Sequence, residues 1–108
     1  MSATEAAIRD RAADSLAEVE HLEVRRMFSG FGFYVDGLLV AAAWDGAFRL
    51  RHHERGSWVY KAVDDSTIDE PAELVGLFRD RALVLSRDPA ARSASKRRRY
   101  RHEPRQRH

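Results

Sequence analysis

From Thr4 to about Val19 the apolar residues Ile8, Ala12, Leu16 and Val19 recur at i, i+4, i+8 and i+11 among Arg, Asp and Glu. That spacing predicts an amphipathic helix, with Thr4 as N-cap and Glu5 near the positive end of its dipole. The pattern changes at Leu22. Leu22–Phe28 reads as a first strand, broken at Ser29-Gly30, and the stretch RRMFSGFGFYVDGLLVAAAWDGAFRL that follows carries two Asp-Gly pairs between apolar runs. Asp-Gly supplies the two φ > 0 positions of a type I′ turn, so Phe31–Val35, Leu38–Trp44 and Ala47–His52 are expected to pair as an antiparallel meander. His52–Ser57 reads as a polar turn, Trp58–Val63 as a further strand and Asp64–Asp69 as a loop. Pro71 then opens a helix carrying Leu74, Leu77, Phe78, Ala82 and Leu85, which ends near Ser86 before Asp88-Pro89. Helices flanking a meander make the fold class α+β, a two-layer sandwich.

Two-residue hairpins fix register, which assigns the faces. One face is expected to hold Tyr34, Leu39, Ala41, Ala43, Phe48 and Leu50 under the helices. The other holds Phe31, Phe33, Val35, Leu38, Val40, Ala42, Trp44, Arg49 and Arg51. A surface so apolar needs a cover, so the face with Phe31, Phe33, Val40 and Trp44 is expected to form a homodimer.

Composition narrows the classes. A chain of 108 residues supports one modest core, expected over Met1–Ser86. No run approaches a membrane span, and the charged N-terminal stretch does not read as a signal peptide, so a cytoplasmic location with no membrane partner is expected. The sequence has no cysteine, which removes disulfides, thiolate nucleophiles and Cys-ligated metals. The net charge of +2 hides a division: Arg87–His108 carries nine Lys/Arg against two Asp/Glu, and Met1–Ser86 carries ten against fifteen. Arg87–His108, with Tyr100 as its only large apolar residue, reads as a disordered basic tail.

Little in the sequence points to catalysis. Gly30-Phe31-Gly32 lacks the third glycine, the following helix and the GK[ST] of a phosphate loop, and it fits a strand bulge or close backbone approach better. His52-His53-Glu54 resembles a metal cluster only in one dimension, since consecutive strand residues face opposite ways. No GxSxG or supported carboxylate pair is present. The chain is therefore expected to be no enzyme and to need no cofactor or metal. Arg25 and Arg26 should point to opposite faces, one paired with an acid such as Glu18, Glu20 or Asp36, the other placed to recognise an anion or partner. In the tail, Lys96, Arg97, Arg98, Arg99, Tyr100 and Arg101 are candidates for non-specific phosphate binding and base stacking, or else a solvated terminus.

The segment Arg25, Arg26, Met27, Phe28, Ser29, Gly30, Phe31, Gly32, Phe33, Tyr34, Val35, Asp36, Gly37 resembles the signature of the TfoX (Sxy) competence-regulator N-terminal domain, apart from Ser29, where that family has glycine. The resemblance spans roughly Ile8–Ser86 and implies a secretion-chaperone-like α+β domain of bacterial origin, here a short variant with a basic tail. It marks Arg25, Arg26, Met27, Phe28, Gly30, Phe31, Gly32, Phe33, Tyr34, Asp36 and Gly37 as candidate interaction residues. The function implied is a non-enzymatic, regulatory protein-interaction domain related to transcription regulation. The alternative is a nucleic-acid-associated protein that holds phosphates through its tail, and a small-molecule site is a third reading.

Overall fold

Three two-residue turns fold the middle of the chain back on itself. Asp36-Gly37 (φ 51° and 81°), Asp45-Gly46 (51° and 76°) and Arg55-Gly56 (52° and 80°) share the paired positive φ of a type I′ turn. They connect β2 (Gly30–Val35), β3 (Leu38–Trp44), β4 (Ala47–Glu54) and β5 (Ser57–Ala62), and β1 (Leu22–Met27) pairs with the outer side of β2. The result is one antiparallel sheet in the order β1-β2-β3-β4-β5. The computed structural model describes residues 2–27 and 29–91. Phe28, expected to end the first strand, and residues 92–108, with the tail candidates Lys96–Arg101, lie outside the described residues.

The hairpin expected across His52–Ser57 is tighter than its polar composition suggests. Strand β4 runs to Glu54, and Arg55 takes the left-handed position that Asp fills in the other two turns. Helix α1 (Ser2–Ser15) starts before Thr4, so Thr4 lies inside the helix and does not cap it. Beyond Ser15 single turns carry the chain on, and Ile8, Ala12, Leu16 and Val19 still bury as one stripe. Part of the expected loop is one helical turn, α2 (Asp65–Ile68), which sinks Ile68 into the core. Helix α3 (Pro71–Ser86) buries Leu74, Val75, Phe78 and Leu85, while Leu77 is 39% exposed. The folded body continues past Ser86: Asp88 Oδ1 accepts the Ala90 N–H at 2.9 Å, and Ala91 is fully buried.

The expected face assignment needs correcting because of one residue. Phe33 pairs with Ala41 and Tyr34 with Leu39, so Val40 is an extra residue in a bulge. Beyond the bulge the alternation of β3 is reversed relative to β2. Phe31 and Phe33, not Tyr34 and Leu39, therefore share a face with Ala41, Ala43, Phe48 and Leu50, and Val40 joins them in the core. Both long helices pack there. The surface expected to dimerise through Phe31, Phe33 and Val40 is thus covered by the chain's own helices, and of that set only Trp44 lies opposite.

The turns make a direct prediction. A β-branched residue tolerates φ > 0 badly, so Gly37→Val and Gly46→Val should each destabilise the domain by about 1–3 kcal/mol. A Cβ on Gly46 would meet nothing within 4 Å, so at that position strain alone is tested. Urea midpoints unchanged from the parent would contradict this account of the hairpins.

Candidate functional site

Strand alternation splits the signature between two environments. Phe31 and Phe33 go to the helical face: Phe33 is fully buried against Phe48 with ring centroids 5.1 Å apart, and Phe31 lies under the Arg9 guanidinium of α1 at 4.4 Å. Arg26 is also near Phe31, at 5.8 Å, and Asp36-Gly37 forms a turn where Asp36 sits 3.6 Å from His21 Nδ1. Arg25, Met27, Gly32 and Tyr34 face the other way. Arg25 stacks over Tyr34 at 4.9 Å and pairs with Glu23 at 2.9 Å. The two arginines do point to opposite faces, but both are exposed, and neither has an ion pair with Glu18, Glu20 or Asp36. Glu18 instead faces Arg79 at 3.6 Å.

The buried stripes of α1 and α3 pack on the first face, while the segment after α3 reaches this second face where Asp88 meets His53. Its lateral order comes from guanidinium groups laid over rings and tied to main-chain oxygens. Arg49 donates to the carbonyls of Trp44, Asp45 and Tyr60 at 3.0, 3.1 and 3.4 Å, with its guanidinium 5.6 Å from the Trp44 ring. Arg51, almost wholly buried, donates to Leu39 O at 2.9 Å and lies 3.8 Å above Trp58. His53 stacks on Trp58 at 4.4 Å, and its Nδ1 is 2.8 Å from Asp88 Oδ2, which ties β4 to the start of the segment after α3. These stacked side chains fix rings on β2, β3 and β5.

Between them lies a cleft of about 440 Å³ lined by Met27, Ser29, Ala42, Trp44 and Tyr60. Two small residues account for its depth. Ala42 forms the floor, and its neighbour across the ladder is Gly32, over which the Met27 thioether folds: a Cβ on Gly32 would stand 2.7 Å from Met27 Sδ. Gly30 is required for another reason, since a Cβ there would come within 2.2 Å of the Ala43 carbonyl oxygen. Trp44 forms one wall, 42% exposed and edge-on to Tyr60 at 6.3 Å. Met27, Ala42 and the Trp44 ring make its described lining largely apolar, with the Ser29 and Tyr60 hydroxyls among them. Sequence reasoning singled out Met27, put Ala42 on the same face as Trp44, and missed Tyr60. It placed Trp44 on an apolar face without foreseeing the cleft, whose walls come from β1, β3 and β5.

The remaining titratable groups lie at the margins. Among the described residues no group of three or more His, Asp or Glu side chains could hold a metal ion. His52 and His53 diverge: His53 stacks with Trp58, while burial, reinforced by Arg81 and Lys61, holds His52 below its ordinary pKa. Glu54 is held low by its contact with Lys61, Asp69 by hydrogen bonds from Arg11, and Asp88 by its bond to His53. The Arg11 guanidinium bridges Asp65 and Asp69, clamping α1 to both ends of α2.

A pH dependence follows. His52 is depressed in the fold, so the unfolded chain takes up the extra proton first, and stability falls as pH drops below the ordinary histidine value near 6.5. The three carboxylates act in the same direction at lower pH. Their contribution is complete above ordinary carboxylate values and is lost as pH falls through the depressed ones. Urea midpoints should therefore decline in two limbs from neutral to acid pH, and His52→Gln should flatten only the upper one. A wild-type profile that rises towards acid would contradict these assignments.

The family model of the TfoX N-terminal domain matches residues 14–68, half of the chain. The chain belongs to the TfoX N-terminal domain family. The match to the TfoX N-terminal domain takes in all five strands, the three turns, α2 and every residue lining the cleft, and leaves most of α1 and all of α3 outside it. Neither the curated proteins nor the solved structures give a match. No described helix is long and apolar enough to cross a membrane.

Proposed function

We propose that this TfoX N-terminal domain is a non-enzymatic, regulatory protein-interaction module that works through the face of its sheet opposite α1 and α3. The observation that carries the reading is the apolar cleft under Trp44, a large side chain left 42% exposed on a surface whose other rings are stacked and fixed. A preorganised apolar hollow with an aromatic wall is what a partner's anchoring side chain uses, because little order is lost when it docks. Affinity capture with the intact chain and with its Trp44→Ala variant tests this. Trp44→Ala should lose the partner while remaining folded, with a cooperative urea transition, and unchanged capture would sink the reading.

A second reading rests on the charge division. Nine Lys/Arg within Arg87–His108, against two acids, could hold nucleic acid without sequence preference while the acidic body contributes little. If about six to nine of those charges meet phosphates, log affinity for duplex DNA should fall against log salt with a slope of about −5 to −8. Replacing Lys96, Arg97, Arg98 and Arg99 by serine should flatten the slope by about three to four units, on two unrelated sequences alike. Binding that survives high salt on one sequence only would show that the folded body reads the DNA.

A further inference from the structure

Charge in the folded body is not spread evenly. The sheet segment Leu22–Ala62 carries six Lys/Arg against four Asp/Glu. The rest of Met1–Ser86, which supplies the helices, carries four against eleven. By register Arg26 and Lys61 lie on the helical side, and Arg25, Arg49 and Arg51 lie with Glu23 on the other face, which is weakly basic in front of an acidic helical layer. An anionic partner would be steered towards the sheet and away from the helices.

On that side the cleft is a single hollow with a methyl floor, a thioether on one side and two rings on the other. Among the described lining residues its polar side-chain groups are the hydroxyls of Ser29 and Tyr60 and the Trp44 indole N–H. The Arg49 guanidinium, beside the Trp44 ring, already donates to three main-chain carbonyls, so it supplies field but has little left for a phosphate. A nucleobase needs donors and acceptors along its edge and counter-charge for its backbone. A protein side chain needs neither. Resting on the interaction reading above, we infer that the cleft takes one large apolar side chain from an acidic protein segment, whose carboxylates lie along the basic sheet face beside Arg25.

The experiment uses the full chain and short synthetic peptides of Glu, Asp and Ser with a single central Phe. Companion peptides carry Ala in place of Phe, or Lys in place of the acids. The Ala peptide measures attraction to the basic tail alone, so the increment from Ala to Phe isolates the cleft. That increment should be at least about tenfold in the parent and absent in Trp44→Ala. The Lys peptide should bind least, and Val84→Asp, on the outer side of α3, should change nothing. NMR shifts on adding the Phe peptide should concentrate at Met27, Ala42 and Trp44. Equal binding of the Phe and Ala peptides would overturn the inference. So would oligothymidylate shifting the same cleft residues while the peptide does not, or sedimentation showing a dimer that Trp44→Ala dissociates. If the peptides fail while Trp44→Ala still loses a captured partner, the partner's chemistry is wrong and the surface stands. If capture too is insensitive to Trp44, both readings fall.

Discussion

Replacing Phe48 by alanine should remove a large part of the domain's stability. Phe48 is fully buried at the middle of the sheet, edge-on to Phe33 at 5.1 Å and 89°, in the layer that receives the helices. Truncation of a buried phenylalanine costs about 3–5 kcal/mol, and here an aromatic pair is lost as well. A domain of this size has about 5–15 kcal/mol in total, so a large unfolded population is expected at moderate urea. Trp44→Ala removes a larger side chain, but from a half-exposed position, and should cost much less. Comparison of the two urea midpoints tests the assignment of faces. A greater loss for Trp44→Ala would mean that the helices cover the other side.

Gly30→Ala should be the most disruptive single-methyl addition among the glycines of β2. The new Cβ would stand 2.2 Å from the Ala43 carbonyl oxygen, a main-chain atom of the neighbouring strand that cannot turn aside. Relief requires β2 and β3 to separate at that end, with a loss of about 3 kcal/mol and distortion at Trp44, the next residue. Gly32→Ala offers the contrast. Its Cβ would press on Met27 Sδ at 2.7 Å, Tyr34 Cε1 at 2.9 Å and Leu39 Cδ1 at 3.0 Å, side-chain atoms that can yield. It should cost less in stability, yet fill the cleft by pushing Met27 into it. Gly30→Ala as stable as the parent by urea titration would contradict the strand pairing.

The fold was legible wherever a residue type has one conformational use. Asp-Gly at 36–37 and 45–46 marks positive φ at two successive positions, and the observed turns fall there. Arg55-Gly56 makes the same turn with a residue that carries no such mark, so its hairpin showed only as a polar gap. The face assignment failed for a different reason. Leu38–Trp44 is apolar at every position, so no polar residue reveals its phase, and the bulge at Val40 could shift the alternation unseen. The cleft was harder still. It depends on the small size of Ala42 and Gly32 and on rings from β3 and β5 that meet over β4. A linear pattern shows which side chains exist, not the space left where they are small.

Two exposed apolar surfaces compete for the role of docking site: Trp44 with its cleft, and the outer side of α3, where Leu77, Leu83 and Val84 are 39%, 52% and 51% exposed. They lie on opposite sides of the domain, so site-specific photocrosslinking in cells separates them. A photoreactive phenylalanine analogue at position 44 should give a discrete adduct with a second protein, and the same analogue at position 84 should give none. An adduct from position 84 alone would contradict the claim that the sheet face opposite α1 and α3 is the working surface.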